Sequence, residues 1–374
     1  MGVTSLGDAF RAVMRRHGWS GAALARRLDV SQPWVSMVLA GKRDPGMAKS
    51  AGLLRTVGWT LELVPAEEDP VKRRRFLASA ASVALIPSAT STSPYRDAAY
   101  VRLLADRLAH TEEQIGGAPL VREALRHLAR ITPAVHSTDT ALQSAASGLA
   151  RRAALILHDT RDRDRAARTA SLAVTLAERA GDVHGQAHGY ATLSLIRNYE
   201  GPRSRAAEYV RRGLTLPDLD DGTRAELLVR FARSLAGVPG QERAVRRALE
   251  GAQSLTDGLN PLDGAEVMAN SGIALVDCGL HTLGAADLQT AISSVETQSP
   301  LLVGLYRARL TKSAIQAQDV GLMVDGMDAL TTVAPLLTSR RMDIHIRHIL
   351  TDTAPWGAIR EVRDAREQLR KVTG

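Results

Sequence analysis

The chain has 374 residues, more than one compact core sustains, so two or three folded units are expected. Its 45% hydrophobic and 24% charged content excludes a disordered or fibrous protein, and no run approaches the roughly 18 apolar residues of a membrane span. A net charge of +8 suits an anionic partner, whereas the single cysteine, Cys278, excludes an internal disulfide and a thiolate metal cluster and fits a reducing cytoplasm.

Aromatic residues make up 3% of the chain, so its cores must be built from Ala, Leu and Val, which favours closely packed helices over sheets. The charge is uneven. Residues 1–75 hold 13 basic and 7 acidic side chains, which leaves an excess of only two positive charges for the other 299 residues. Of the 48 basic residues 43 are Arg, a bias that GC-rich coding DNA produces by itself, so location carries more weight than the total.

In chain order, residues 1–64 read as a first domain of short helices. Within it, 21–41 runs GAALARRLDVSQPWVSMVLAG. Leu24, Ala25 and Leu28 form one apolar helical face and Val35, Val38 and Leu39 another, with Val30 between them. Two short helices joined by the turn Asp29-Val30-Ser31 must cross steeply, and the small Ala25 permits their close approach. Ser31 is a good N-cap, and Pro33 is tolerated because first-turn amides lack intrahelical partners. With the valines buried, Gln32, Pro33, Ser36 and Met37 face outward. The alternation of Trp59–Val64 reads as one short strand.

Residues 65–94 read as a linker with a basic run, Lys72–Arg75, and a short apolar helix over 78–86; Pro87–Pro94 is low-complexity. Arg73-Arg74-Arg75-Phe76-Leu77 before that apolar stretch imitates a twin-arginine export signal, but it follows some 70 residues that read as a folded domain, so export is not expected.

Residues 95–374 alternate amphipathic helical patterns with short turns. Ala154 and Ala166, Ser194 and Ala206, Ala232 and Ala244, Ala274 and Ala286, and Ala314 and Gly326 are each twelve apart, and the first members recur at steps of 40, 38, 42 and 40. A further small residue lies seven later in four units (Ala173, Gly213, Gly251, Ser293), while the fifth has Val333. Small residues at the turn of an antiparallel pair let the helices approach, and each pair leaves an apolar face for the next to cover, so the units stack; an irregular helical bundle is the alternative. The spacing resembles tetratricopeptide (TPR) repeats with a longer period and few of their aromatic positions. The fold class expected is therefore all-α: a helix-turn-helix domain, with at most one short strand, and a TPR-like α-solenoid.

Ala25, Leu28, Val30-Ser31, Val35-Ser36 and Gly41-Lys42-Arg43 with Pro45 resemble the lambda-repressor/Cro-like, or XRE, helix-turn-helix family over roughly residues 5–64. The family's Gln at the start of the first of these helices is Gly21 here, and its turn glycine is Asp29. The resemblance implies double-stranded DNA as partner. Ser31, Gln32, Pro33, Ser36 and Met37 would meet base edges in the major groove, and Gln32 would read adenine through its amide. Arg26, Arg27, Lys42 and Arg43 would contact the DNA backbone, and Trp34 would either pack or touch that backbone rather than stack on a base.

His184 and His188, and likewise His345 and His348, have metal-compatible spacing without a third ligand. Asp159, Asp162 and Asp164 alternate with Arg161, Arg163 and Arg165 and read as a solvated loop rather than a calcium site. With no phosphate-binding or nucleophile motif, neither enzyme activity nor a cofactor is expected. A helix-turn-helix head on TPR-like repeats resembles bacterial peptide-pheromone receptor regulators and actinobacterial regulators. This implies a cytoplasmic homodimer whose repeat domain binds a peptide, protein or small effector and so alters the spacing of two reader heads. The rival expectation is an interaction scaffold in which the head only tethers.

Overall fold

The computed structural model describes residues 2–3, 6–40, 53–54, 56–57, 59–64, 82–87, 93–199 and 203–372. The chain divides into two compact units, one ending at Ser93 and the other beginning at Pro94.

The first unit opens with strand β1 (Gly2–Val3) and helices α1 (Leu6–His17), α2 (Gly21–Arg27) and α3 (Gln32–Leu39). Ser20 caps α2 by accepting from the Ala23 N–H at 3.2 Å, and Ser31 caps α3 by accepting from the Trp34 N–H at 3.4 Å. Between the caps the chain turns through a left-handed Asp29 at φ +52°. The Val30 N–H donates to the Ala25 carbonyl at 3.0 Å and the Asp29 N–H to that of Arg26 at 3.4 Å, the paired bonds of a Schellman stop. One apolar core results, in which Phe10 and Val13 meet Leu24, Ala25 and Leu28 from α2 and Val35 and Val38 from α3.

The expected strand is present as β2 (Trp59–Val64), and it has company. The apolar stretch 78–86, expected as a short helix, instead contributes strand β3 (Ser82–Pro87). It runs antiparallel to β2 in the register Trp59 to Pro87 through Val64 to Ser82, and its other edge takes β1 through Gly2 to Ala84 and Val3 to Val83. The physical reason is that Val83 and Ile86 are β-branched and a partner strand is available for their backbone, while Pro87 sits at a strand end where its missing N–H costs nothing.

The second unit is helical. After α4 (Ala98–Ile115) and α5 (Val121–Ile131) come the pairs α6 (Thr140–Asp159) with α7 (Arg163–Ala180) and α8 (Val183–Asn198) with α9 (Arg203–Leu214). These are followed by α10 (Asp221–Leu235) with α11 (Glu242–Gln253) and α12 (Pro261–Asp277) with α13 (His281–Val295). Helices α14 (Pro300–Ala317), α15 (Val320–Val333), α16 (Arg340–Asp352) and α17 (Arg360–Lys371) complete it. The turns within pairs are short because stop and start share residues. Arg161 at φ +63° ends α6 and Asp162 caps α7; Gln318 at φ +58° ends α14 and Asp319 caps α15.

Each spacing of twelve falls on the two helices of one pair. The first members, Ala154, Ser194, Ala232, Ala274 and Ala314, are all fully buried. Among the second members Ala166, Ala206 and Gly326 are buried, but Ala286 is exposed. In that pair the close approach is two residues earlier, where a Cβ on Gly272 would stand 2.7 Å from the Gly284 carbonyl and one on Gly284 2.5 Å from that of Gly272. The repeat is real and the alignment slips by two in one unit, because local packing rather than the period selects which small residue is used.

The ends of this unit also meet. Asp159, fully buried at the end of α6, accepts from the Arg341 Nε at 2.9 Å, the Ser339 hydroxyl at 2.6 Å and the Gly117 N–H at 2.9 Å. The Thr338 N–H donates to the Ile115 carbonyl at 2.7 Å beside them. Helices near the start of the unit are thereby tied to α16, and the face they share encloses the cavity described below.

Candidate functional site

On α3 the buried side is Trp34, Val35 and Val38, and the exposed side carries Gln32, Pro33, Ser36 and Met37 next to the capping Ser31. The five side chains expected to meet bases therefore lie together on the exposed face of one helix and its N-cap. Arg26 and Arg27 are exposed in the last turn of α2, and the Arg27 guanidinium lies 4.4 Å above the Trp19 ring, which itself stacks on His17 at 4.3 Å. Of the two places expected for Trp34, the core and the DNA backbone, it takes the core. Its ring packs in the core with its centroid 6.2 Å from that of Phe10, leaving the residue 8% exposed. Lys42 and Arg43 lie outside the described residues. The pose of α3 is secured from behind, where Arg11 on α1 donates from Nη2 to the Leu39 carbonyl at 2.7 Å and so satisfies a C-terminal backbone acceptor.

Sequence reasoning missed a second site, inside the repeat unit. A cavity of about 250 Å³ is lined by His158, Tyr199, Arg233 and Asp277 at the ends of α6, α8, α10 and α12, by Arg309 in the middle of α14 and by Arg341 at the start of α16, among others. It shares Tyr199, Arg233, Arg309, Arg341 and His345 with an adjoining space of about 220 Å³ that also reaches Glu112, Arg151, Glu226 and Glu266. Arg309 donates to the Tyr199 hydroxyl at 2.6 Å, and Arg233 donates to the Asn270 carbonyl oxygen at 2.7 Å. Burial would raise the Tyr199 phenol, but the charges of Arg309, Arg233 and Arg341 bring it down to about 6. Burial, and then the same field from Arg341, holds the His158 imidazole well below its ordinary range. Glu112 is pushed up to about 8 by burial and by the charge of Asp159.

The Asp and Arg alternation at 159–165, read from sequence as a solvated loop, is part of this construction: Asp159 is the buried anchor, and Arg161 and Arg163 line the cavity. The signal was present in the charge density of that turn, but its partners stand some 180 residues away and no local pattern names them. His184 and His188 face carboxylates on or beside α10. His184 lies 3.3 Å from Asp220 and His188 2.8 Å from Glu226, whose pKa falls to about 2 because the His188 hydrogen bond and nearby charges outweigh burial. Among the described residues no group of three or more candidate metal ligands occurs, and no helix is long and apolar enough to cross a membrane.

No match was found among curated proteins. Among solved structures, the chain is similar to Bacillus thuringiensis PlcR in complex with the peptide PapR7 and DNA, at 10% identity and a TM-score of 0.40, with 93% of this chain and 99% of that chain covered. Likeness of that degree bears on no functional point. Residues 5–66 match the family model of a helix-turn-helix domain, and the three helices with their caps and turn have that form: the N-terminal unit is a helix-turn-helix domain.

Proposed function

We propose that the chain is a sequence-specific DNA-binding transcriptional regulator whose repeat unit binds an effector and carries a homodimer contact. The observation that supports it is the exposed Gln32, Pro33, Ser36 and Met37 face of a helix whose other side packs in an apolar core. Major-groove reading needs that arrangement: polar and apolar side chains able to reach base edges and thymine methyls, on a helix whose own orientation is fixed. Two heads are needed because one such helix buries too little surface for operator affinity, and paired half-sites supply the rest. The interior cavity of the repeat unit supports the effector part of the reading.

The test is selection of bound duplexes from random DNA by the full chain, followed by gel shifts on the enriched sequence. Gln32→Ala is expected to cost about 1–3 kcal/mol on that sequence and to relax the preference at one base position. Arg26→Ala is expected to weaken all sequences alike and to flatten the salt dependence by about one charge. Absence of any enriched motif would overturn the proposal, as would a Gln32→Ala protein that keeps full affinity and specificity. Sedimentation at micromolar concentration tests the dimer.

A further inference from the structure

The cavity at the ends of the first helices of the pairs is unusual in its charge. Seven Arg or Lys side chains line it against two carboxylates, Asp277 and Asp352. Arg203 and Arg341 have a carboxylate partner; Arg233 and Arg309 have none among the described residues, though Arg309 meets the Tyr199 phenol, itself lowered to about 6. Asp277 stands 3.7 Å from Arg203, and Asp159 engages Arg341 from outside the lining, whereas Arg233 and Arg309 use Asn270 and Tyr199. Guanidinium groups taken out of water without carboxylate partners carry a penalty that an anion removes.

A second observation is independent of charge. Around the same cavity, His158 Nε2, both amide atoms of Asn198, Arg203 Nη1 and Arg233 Nε are buried and make no hydrogen bond. Buried donors are almost always satisfied, so those left over here, Asn198 Nδ2, Arg203 Nη1 and Arg233 Nε, mark where an acceptor belongs. With His158 they arise from α6, α8, α9 and α10, four separate elements converging on one volume.

We propose that this cavity is the binding site of a small phosphorylated molecule, whose phosphoryl group is held by Arg203, Arg233, Arg309 and Lys312 with Asn198 and His158 as neutral partners. A phosphomonoester brings close to two negative charges and three acceptor oxygens, which suits a lining with a large cationic excess and several free donors. A single carboxylate brings one charge and two oxygens and leaves most of both unanswered. Guanidinium forks match the planar pairs of phosphoryl oxygens, which a scatter of ammonium groups would not. The adjoining space, with Glu112, Glu226 and Glu266 among arginines and the leucines Leu301, Leu302 and Leu305, provides for the rest of the molecule a mixed polar and apolar wall. The two spaces together have the scale of a small-molecule pocket.

The inference rests on the repeat unit being the effector-binding part of the chain, and its test does not require the first unit to bind DNA. The full chain, freed of nucleic acid, is titrated calorimetrically at about 0.15 M salt, where surface charges are screened. The probes are inorganic phosphate, pyrophosphate and, as a polycarboxylate, citrate. Saturable binding of phosphate or pyrophosphate at one site per chain is expected, and Arg203→Gln and Lys312→Gln should each weaken it by about tenfold, as loss of one charge-assisted contact does. Both side chains are partly exposed, and an unchanged circular dichroism spectrum and melting midpoint certify each variant. Three results overturn the proposal: no saturable binding of either phosphate probe, binding of citrate in preference to both, or phosphate binding that neither substitution weakens. Gel shifts without any anion decide separately whether the first unit reads DNA.

Discussion

The two units place their polar chemistry on opposite sides of their cores. In the helix-turn-helix unit the interior is apolar and the functional side chains lie outside, on the exposed face of α3. In the repeat unit apolar residues fill the seams between helices, while arginines, carboxylates and a tyrosine stand in the enclosed middle. Charge outside costs almost nothing and contributes little to stability, so the reader's surface is free to vary with its operator. Charge inside must be partnered, so the repeat unit couples stability to whatever its cavity holds. Substitutions of the exposed functional residues should therefore leave the stability of the first unit untouched, whereas removing a fully buried charge such as Asp159 should alter that of the second.

The largest expected effect is at the tie between the ends of the repeat unit. Asp159→Ala removes the acceptor for Arg341, Ser339 and the Gly117 amide at once and leaves a largely buried guanidinium without its carboxylate. Breaking one side of a buried pair costs about 3–5 kcal/mol, readable as a lower denaturant midpoint for the repeat unit. A loss below about 1 kcal/mol would mean that the tie is ornamental and that the contrast between the units fails.

Next comes the pH dependence of Glu112, buried on α4 and pushed up to about 8 from 4.5. Its folded pKa lies above the unfolded value, so the unfolded chain releases the proton first. Stability from this group is fully present below pH 4.5 and erodes as pH rises towards 8. Glu112→Gln keeps the shape without the proton. Its melting midpoint should match the parent at pH 4 and exceed it by several degrees at pH 9. Equal differences at both pH values would assign the effect to packing instead.

How much of this was legible in the sequence follows the same division. The reader's helices, its caps at Ser31 and its outward residues are encoded within some twenty consecutive positions, where an amphipathic period and a capping residue suffice. Strand β2 was legible from alternation, but β3 was not, because its identity depends on a partner that a helix-compatible apolar run does not announce. Trp34 shows the limit even within the motif: an indole can serve a core or a phosphate, and only Phe10 opposite decides. The repeat period was legible through its small residues. The cavity was not, since each helix contributes one or two charges that look solvated in isolation and become interior only when eight helices converge.

The smallest effect probes a strained residue of the reader. Asp29 holds the left-handed position of the Schellman stop between α2 and α3, at φ +52°, where an L side chain crowds the following carbonyl. Asp tolerates this better than a branched residue, and glycine avoids it altogether, at the cost of greater freedom in the unfolded chain. Asp29→Gly should therefore stabilise the first unit by a few tenths to about 1 kcal/mol. Because Asp29 lies behind Ser31 rather than on the exposed face of α3, the bases preferred in the selected DNA should not change. A gain in stability with unaltered specificity fits a turn whose work is purely geometric, whereas a shifted base preference would show that the turn's carboxylate takes part in reading and that the exposed helix face does not act alone.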